Sequence, residues 1–242
     1  MLLFGKDKPA KAHTKVDERL THIAFIMDGN GRWAKSKGKS RNFGHRKGSE
    51  VIEEVLKTCF DAGVKNVTLY AFSTENWNRP KEEVDEILRI LDKFIDKYRQ
   101  KASKEDIRLC VFGDFSRLDE NMKRRIEAAV ESTRGGKSGT VNIALGYGSR
   151  QEITRAIQNI IKDGVTQITD DTLSDYLYTA GQPDVDLIVR TSGEQRLSNF
   201  LLYQSAYAEL YFTDVLWPDF KREEVIKALR WFEGRHRRFG KV

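Results

Sequence analysis

The chain has 242 residues, enough for one large domain or two small ones and for a core that needs no staples. Hydrophobic residues make up 39% and charged residues 32%, with 4 prolines, which excludes a disordered or collagen-like chain. The net charge is +6, and the cations are gathered rather than spread, which favours anionic partners. Arg32, Lys35, Lys37, Lys39, Arg41, Arg46 and Lys47 crowd one stretch, and Lys221 to Lys241 forms another. Cys59 and Cys110 each sit in an apolar run, which suits a reducing compartment rather than a disulfide framework. No apolar stretch reaches the ~18 residues a membrane span needs. The apolar part of MLLFGKDKPAKAH is too short for a secretory signal.

In chain order, residues 1–20 read as a charged, flexible arm and residues 21–242 as one catalytic domain. His22–Met27 predicts a buried strand. Lys37 to Arg41 and Gly44 read as a loop, and Arg46–Ala62 as a helix closed by Gly63. Val64–Ser73 predicts a second strand. Lys81–Lys101 predicts a long helix with Val84, Ile87, Leu88, Leu91, Phe94, Ile95 and Tyr98 on one stripe. Strands follow at Ile107–Phe112, Val141–Leu145, Asp186–Arg190 and Glu209–Phe212. Helices are expected at Arg117–Arg134, Arg150–Lys162, Thr172–Thr179 and Arg222–Arg238. This alternation implies an α/β fold, a mostly parallel six-stranded sheet flanked by helices. Ligands in such sheets bind outside the carboxyl ends of the strands.

Those strand ends carry unusual chemistry. The first ends in Asp28-Gly29-Asn30-Gly31-Arg32-Trp33. Gly29, Gly31 and Ala34 match the dinucleotide pattern G-x-G-x-x-A, but a true fingerprint runs straight into a helix, and here Lys37 to Arg41 and Gly44 predict a loop. Asp28 would repel a bare pyrophosphate, so beside a backbone nest and several cations it suggests Mg²⁺-pyrophosphate; a carboxylate stabilising a Gly-rich turn fits these residues equally well. The second strand ends in Ser73-Thr74-Glu75-Asn76-Trp77-Asn78-Arg79, a crowd of hydroxyls, amide and guanidinium that also suits turn and cap chemistry. Arg190, Arg196 and Ser198 can form a second anion clamp, since guanidinium suits bidentate phosphate contact. Glu209 is an acid inside an apolar run, where it needs a metal or a partner such as Arg190 or Arg196. Strand alternation puts Leu69, Ala71 and Ser73 on one face, so if Ser73 faces a diphosphate, Ala71 lies one step deeper.

Three long blocks, HIAFIMDGNGRWAKSKGKSRNFGHRKG, TLYAFSTENWNRP and DLIVRTSGEQRLSNFLLYQSAYAELYFTDVLWPDF, resemble the cis-prenyltransferases, among them the bacterial undecaprenyl diphosphate synthases. The resemblance runs from about His22 to Gly240. It implies a Mg²⁺-dependent homodimer with an apolar tunnel. The implied activity extends farnesyl diphosphate by successive isopentenyl diphosphates with cis double bonds. The implied product is a long-chain, undecaprenyl-type diphosphate, the precursor of a cell-wall lipid carrier. The implied location is cytoplasmic, in peripheral contact with the inner face of the membrane. By position, Asp28 matches the essential aspartate and Asn76 the residue assigned to proton removal. Gly29, Asn30, Gly31, Arg32, Trp33, Arg41, His45 and Arg79 match the allylic diphosphate pocket. Ser73, Thr74, Glu75 and Trp77 match neighbouring substrate contacts. Arg190, Arg196, Leu197 and Ser198 match the isopentenyl diphosphate clamp, and Asp28 and Glu209 match metal-site acids. Arg238-Phe239-Gly240 resembles a tail that completes a partner's site. Gln195 stands where bacterial members often carry His, so it is left out of the expected metal site.

Two other classes make distinct expectations. A non-catalytic partner subunit of the same fold should lose Asp28 or the Arg190/Arg196 clamp, and this chain keeps all three. A basic nucleic-acid-binding protein should show zinc-ligand spacing or a known RNA-binding motif, and the sequence has neither, so no nucleic acid partner is expected.

Overall fold

The computed structural model describes residues 17–235. Six strands form one sheet: β1 (His22–Ile26), β2 (Asn66–Ser73), β3 (Ile107–Phe112), β4 (Gly139–Tyr147), β5 (Leu187–Arg190) and β6 (Glu209–Phe212). Their order is β3-β4-β2-β1-β5-β6, and every pairing is parallel. The helices are α1 (Asn30–Ser36), α2 (Arg41–Ala62), α3 (Lys81–Lys104), α4 (Glu120–Thr133), α5 (Ser149–Lys162), α6 (Asp170–Tyr176) and α7 (Arg222–Glu233). Both sheet faces are covered, as the buried alternation of β1 records. Ile23 and Phe25 pack into one core with residues of α2, α3, α4 and α7, while Ala24 and Ile26 pack into a second core with Tyr147, Ile188 and Phe200.

Strand order fixes the site. β2, β1 and β5 are neighbours at the centre of the sheet. Their carboxyl ends lead into Thr74, Asp28 and Thr191, so three polar segments far apart in sequence meet at one edge.

Of the residues expected to keep the chain in a loop, 37–40 do so, but they form only a short link between two helices. Asn30–Ser36 is helical, entered through Gly29 in the left-handed region at φ 106°. α2 starts at Arg41, five residues before the expected Arg46, with the Ser40 side chain accepting the Phe43 N–H. Gly44 misled because it serves packing, not turning, and Gly48, inside the expected helix, does the same. A Cβ at Gly44 would lie 2.0 Å from the Asn30 carbonyl oxygen, and one at Gly48 would lie 2.0 Å from Asn30 Oδ1. The two glycines let α1 lie directly on α2. Two 3₁₀ turns, Thr74–Asn78 and Trp217–Asp219, also escaped the sequence reading.

Of the expected arm, residues 1–16 lie outside the described residues, but Leu20 is buried in the core. The Arg238-Phe239-Gly240 tail also lies outside the described residues. Both cysteines are free. Among the described residues no helix is long and apolar enough to cross a membrane.

Candidate functional site

Asp28 leaves β1 at the centre of the carboxyl edge. Its backbone is fixed first: the carbonyl accepts the Thr191 hydroxyl at 2.6 Å and the Trp217 N–H at 3.0 Å. Its side chain then meets donors from three directions. Oδ1 accepts the Gly29 N–H at 2.6 Å, and Oδ2 faces Arg190 Nη2 at 3.1 Å and Arg32 Nη2 at 3.3 Å. Burial pushes the Asp28 carboxyl up, but the Arg190 hydrogen bond and charge, the Arg32 charge and the Gly29 N–H outweigh it and hold the group below its usual value. Asp28 is therefore ionised at neutral pH.

Arg190, only 4% exposed, ends β5. Besides Asp28, its guanidinium donates to the Arg196 carbonyl at 2.5 Å and to Ser198 Oγ at 2.7 Å. Its Nε is buried with no partner, so the group is not saturated. Arg32 donates to the Ser192 carbonyl at 2.8 Å and to the Ser192 hydroxyl, and lies 3.4 Å from Glu194 Oε1. Arg196 pairs with Glu194. These residues form one cluster around Asp28.

A second cluster forms where α2 and α3 start. Glu83, 6% exposed, collects two guanidinium groups and an imidazole: Arg41 Nε at 3.1 Å, Arg79 Nη1 at 2.9 Å and His45 Nε2 at 3.2 Å. Burial pushes Glu83 up, but His45, Arg79 and Arg41 together hold it low. Burial is also the largest influence on His45 and lowers its pKa; the Glu83 carboxylate opposes this and the neighbouring arginines add to it. Sequence reasoning missed Glu83, because an acid in the first turn of a helix already has a reason to be there.

Both clusters rim one cavity of about 830 Å³. Its polar wall includes Gly29, Asn30, Gly31, Ser73, Glu75, Asn76 and Asn199. Its floor is apolar, built from Ile52, Leu69, Ala71, Ile87, Leu91, Phe94 and Ile143. Leu69, Ala71 and Ser73 all line the cavity, and Tyr70 lines it with them. A polar rim over an apolar floor suits a molecule with a charged head and a hydrocarbon tail.

Several expected site residues lie elsewhere. Trp33 stacks on Phe43 at 6.1 Å, Trp77 packs edge-on against Phe72 at 4.8 Å, and Leu197 joins the core on the far face. Thr74 Oγ1 is buried without a partner beside Gly148 rather than in the cavity wall. Asn76 caps its own turn: its Oδ1 accepts the Ser73 N–H at 3.1 Å. Glu209 is not brought to Asp28 within the chain. It pairs in register with Leu187, at the start of β5, whereas Arg190 pairs with Phe212. Its partner is Arg235, with Nε at 3.0 Å from Oε2, and neither Arg190 nor Arg196.

Among the described residues no three His, Cys, Asp or Glu side chains gather as a metal site. Of the two expected metal-site acids, Asp28 lines the cavity and Glu209 does not. That fits Mg²⁺, which is commonly held by one or two carboxylates with substrate phosphates completing its shell.

Residues 26–240 match the undecaprenyl diphosphate synthase family. The chain is 50% identical to the isoprenyl transferase of Fusobacterium nucleatum, over 91% of this chain and 96% of the relative. It is 44% identical to the isoprenyl transferase of Aquifex aeolicus, again over 91% and 96%. Among solved structures, lavandulyl diphosphate synthase from Lavandula x intermedia, in complex with dimethylallyl diphosphate, superposes with a TM-score of 0.88 at 34% identity, covering 93% of this chain and 100% of that one. A probable undecaprenyl diphosphate synthase from Campylobacter jejuni gives 0.78 at 35% identity, covering 92% and 99%.

Proposed function

The chain belongs to the undecaprenyl diphosphate synthase family and is a prenyltransferase; from that premise we propose that it extends farnesyl diphosphate by successive additions of isopentenyl diphosphate to a long cis-polyprenyl diphosphate of undecaprenyl type. The observation that carries this reading is the pairing of two cationic clusters on the rim of one cavity with an apolar floor. Two diphosphates need two anion clamps, and a growing hydrocarbon needs an apolar path.

In this reading Arg41, His45 and Arg79, now turned on Glu83, hold the allylic diphosphate together with the backbone of Gly29, Asn30 and Gly31. Arg190, Arg196 and Ser198 hold isopentenyl diphosphate. Arg190 donates from a fixed, buried position, so little reorganisation is needed when the substrate arrives. Holding two reactants in register lowers the barrier by several kcal/mol, about 7–11 in the best-oriented systems. Asp28 would hold Mg²⁺, which supplies charge neutralisation for the departing diphosphate. Asn76, whose Oδ1 already accepts a backbone N–H, is a poor base. It positions the turn, and a phosphate oxygen takes the proton from the new chain. The small Ala71 leaves the cavity floor open to the lengthening tail.

For a homodimer contact, exposed apolar side chains are available on α5 and at β6. Ile157 and Ile161 on α5, with Tyr207 and Leu210 beside and on the edge strand β6, are large exposed apolar side chains. The basic stretches and the lipid product suit peripheral contact with an anionic membrane surface on the cytoplasmic side.

Steady-state kinetics test the clamp assignment. Arg196→Ala should raise KM for isopentenyl diphosphate, and Arg79→Ala should raise it for the allylic substrate. Each charge-assisted bond is worth ~1.5–3 kcal/mol, or roughly 10–100-fold. Equal effects on both substrates in both variants would contradict the assignment.

A further inference from the structure

The segment that carries Arg196 and Ser198 follows a costly backbone path. Ser198, Asn199 and Leu201 have φ of 51°, 63° and 45°. The left-handed region is unfavourable for Ser and Leu, and among non-glycine residues Asn tolerates it best. Such a segment persists only where its surroundings hold it.

What holds it is the first turn of α5. Gly148, the residue before that helix, has no side chain with which to cap it. Asn199 does so from across the chain. Its carbonyl accepts the Ser149 N–H at 2.8 Å, and its Oδ1 accepts the Arg150 N–H at 2.9 Å. The Leu202 N–H returns the contact by donating to Ser149 Oγ at 3.1 Å. Asn199 Nδ2 donates to Gln151 Oε1 at 3.0 Å and to Glu75 Oε1 at 3.4 Å, so the Thr74–Asn78 turn is tied to the same point. One residue earlier, Ser198 Oγ accepts from Arg190, and the Ser198 carbonyl accepts from the Tyr70 hydroxyl at 3.3 Å.

We propose that Asn199 is a positioning residue for the Arg190–Arg196–Ser198 clamp: by capping α5 it locks the left-handed backbone that turns the Ser198 hydroxyl towards Arg190. The proposal rests on the assignment of that clamp to isopentenyl diphosphate. It requires no contact between Asn199 and substrate. Alanine at 199 loses both the cap and the tolerance of positive φ. Glycine loses the side-chain cap but keeps the backbone freedom and the carbonyl that accepts from Ser149.

The test uses the full chain with farnesyl diphosphate, isopentenyl diphosphate and Mg²⁺. Asn199→Ala should raise KM for isopentenyl diphosphate about tenfold, with KM for the allylic substrate changed less than about twofold. Asn199→Gly, which loses the same side-chain cap and keeps only the backbone freedom, should raise that KM by an intermediate amount, about threefold to fivefold. In a Ser198→Ala background, Asn199→Ala should add little, because both changes act on one contact. If alanine gives no folded protein, the glycine variant and its combination with Ser198→Ala carry the same contrast. Equal KM increases for both substrates, an Asn199→Gly variant indistinguishable from the parent, or full additivity with Ser198→Ala would each overturn the positioning role. Arg196→Ala run in parallel separates the two ideas. An unchanged KM for isopentenyl diphosphate there removes the clamp assignment itself. A raised KM there, with none in Asn199→Ala, removes only Asn199.

Discussion

Asp28 and Glu83 are two partly or fully buried carboxylates whose neighbours hold them ionised, and they differ in how they could be read. Asp28 ends a strand beside two glycines and an arginine, so its chemistry is visible in the sequence. Glu83 is visible only in space, because Arg41, His45 and Arg79 reach it from two helix starts and a turn. Glu83→Gln leaves two arginines and an imidazole facing a neutral amide. We expect a loss of ~1–3 kcal/mol of stability, the cost of unmaking charge-assisted hydrogen bonds in a buried setting. Urea denaturation measures it, and an unchanged midpoint would show that the cluster is not held together by this carboxylate. Glu209 shows the reverse limit. Its residue type and apolar setting suggested a metal or an arginine at the clamp, but the β5–β6 register places it at the far end of the strand, on Arg235. Residue type alone does not carry register.

At the scale of elements, strands and long helices were legible because each has a clear hydrophobic period. α1 was not, because Gly29 and Gly31 carry a turn's composition, and the start of α2 was missed because Gly44 does so while serving helix contact. β2 adds a detail that alternation cannot give. Tyr70 pairs with Ala144 and Phe72 with Leu145, so Ala71 bulges out of the ladder, and both Tyr70 and Ala71 line the cavity. Ala71→Leu should narrow the floor and shorten the product while the first additions stay fast. Simple overpacking would instead cost ~1–3 kcal/mol with the length distribution unchanged. Mass spectrometry with a melting curve decides between them. His22 joins β1, β2 and β4 in a buried polar chain. The Pro183 carbonyl can only accept, so Nδ1 carries the proton at 2.8 Å and Nε2 accepts the Thr68 hydroxyl at 2.7 Å. Burial lowers the pKa of His22, and that of His45 moves the same way. The unfolded chain therefore takes up protons first as pH falls. The stability these neutral rings allow is complete above the unfolded value of ~6.5 and is lost below it. The melting midpoint should drop between pH 7 and pH 5; a rise over that range would contradict the neutral assignment.

At the scale of the molecule, a six-stranded parallel sheet brings three strand ends together over an apolar floor and leaves β6 as an open edge. Ile161, on α5, is 69% exposed. Ile161→Glu should convert a homodimer to a monomer in light scattering. A wild-type chain that is already monomeric at micromolar concentration would remove the dimer from the account. The central claim is that one cavity holds two diphosphates and a growing cis-polyprenyl chain. The most direct measurement is the mass spectrum of the lipid formed from farnesyl diphosphate, isopentenyl diphosphate and Mg²⁺, beside Asp28→Ala as a folded control. The account predicts a ladder of polyprenyl diphosphates spaced by single isoprene units and ending in a long-chain product. It predicts that the variant slows the ladder by about 100-fold or more, the scale of losing one electrostatic stabiliser. A wild-type chain that leaves both substrates unchanged, or an Asp28→Ala variant that builds the ladder at the wild-type rate, would contradict it.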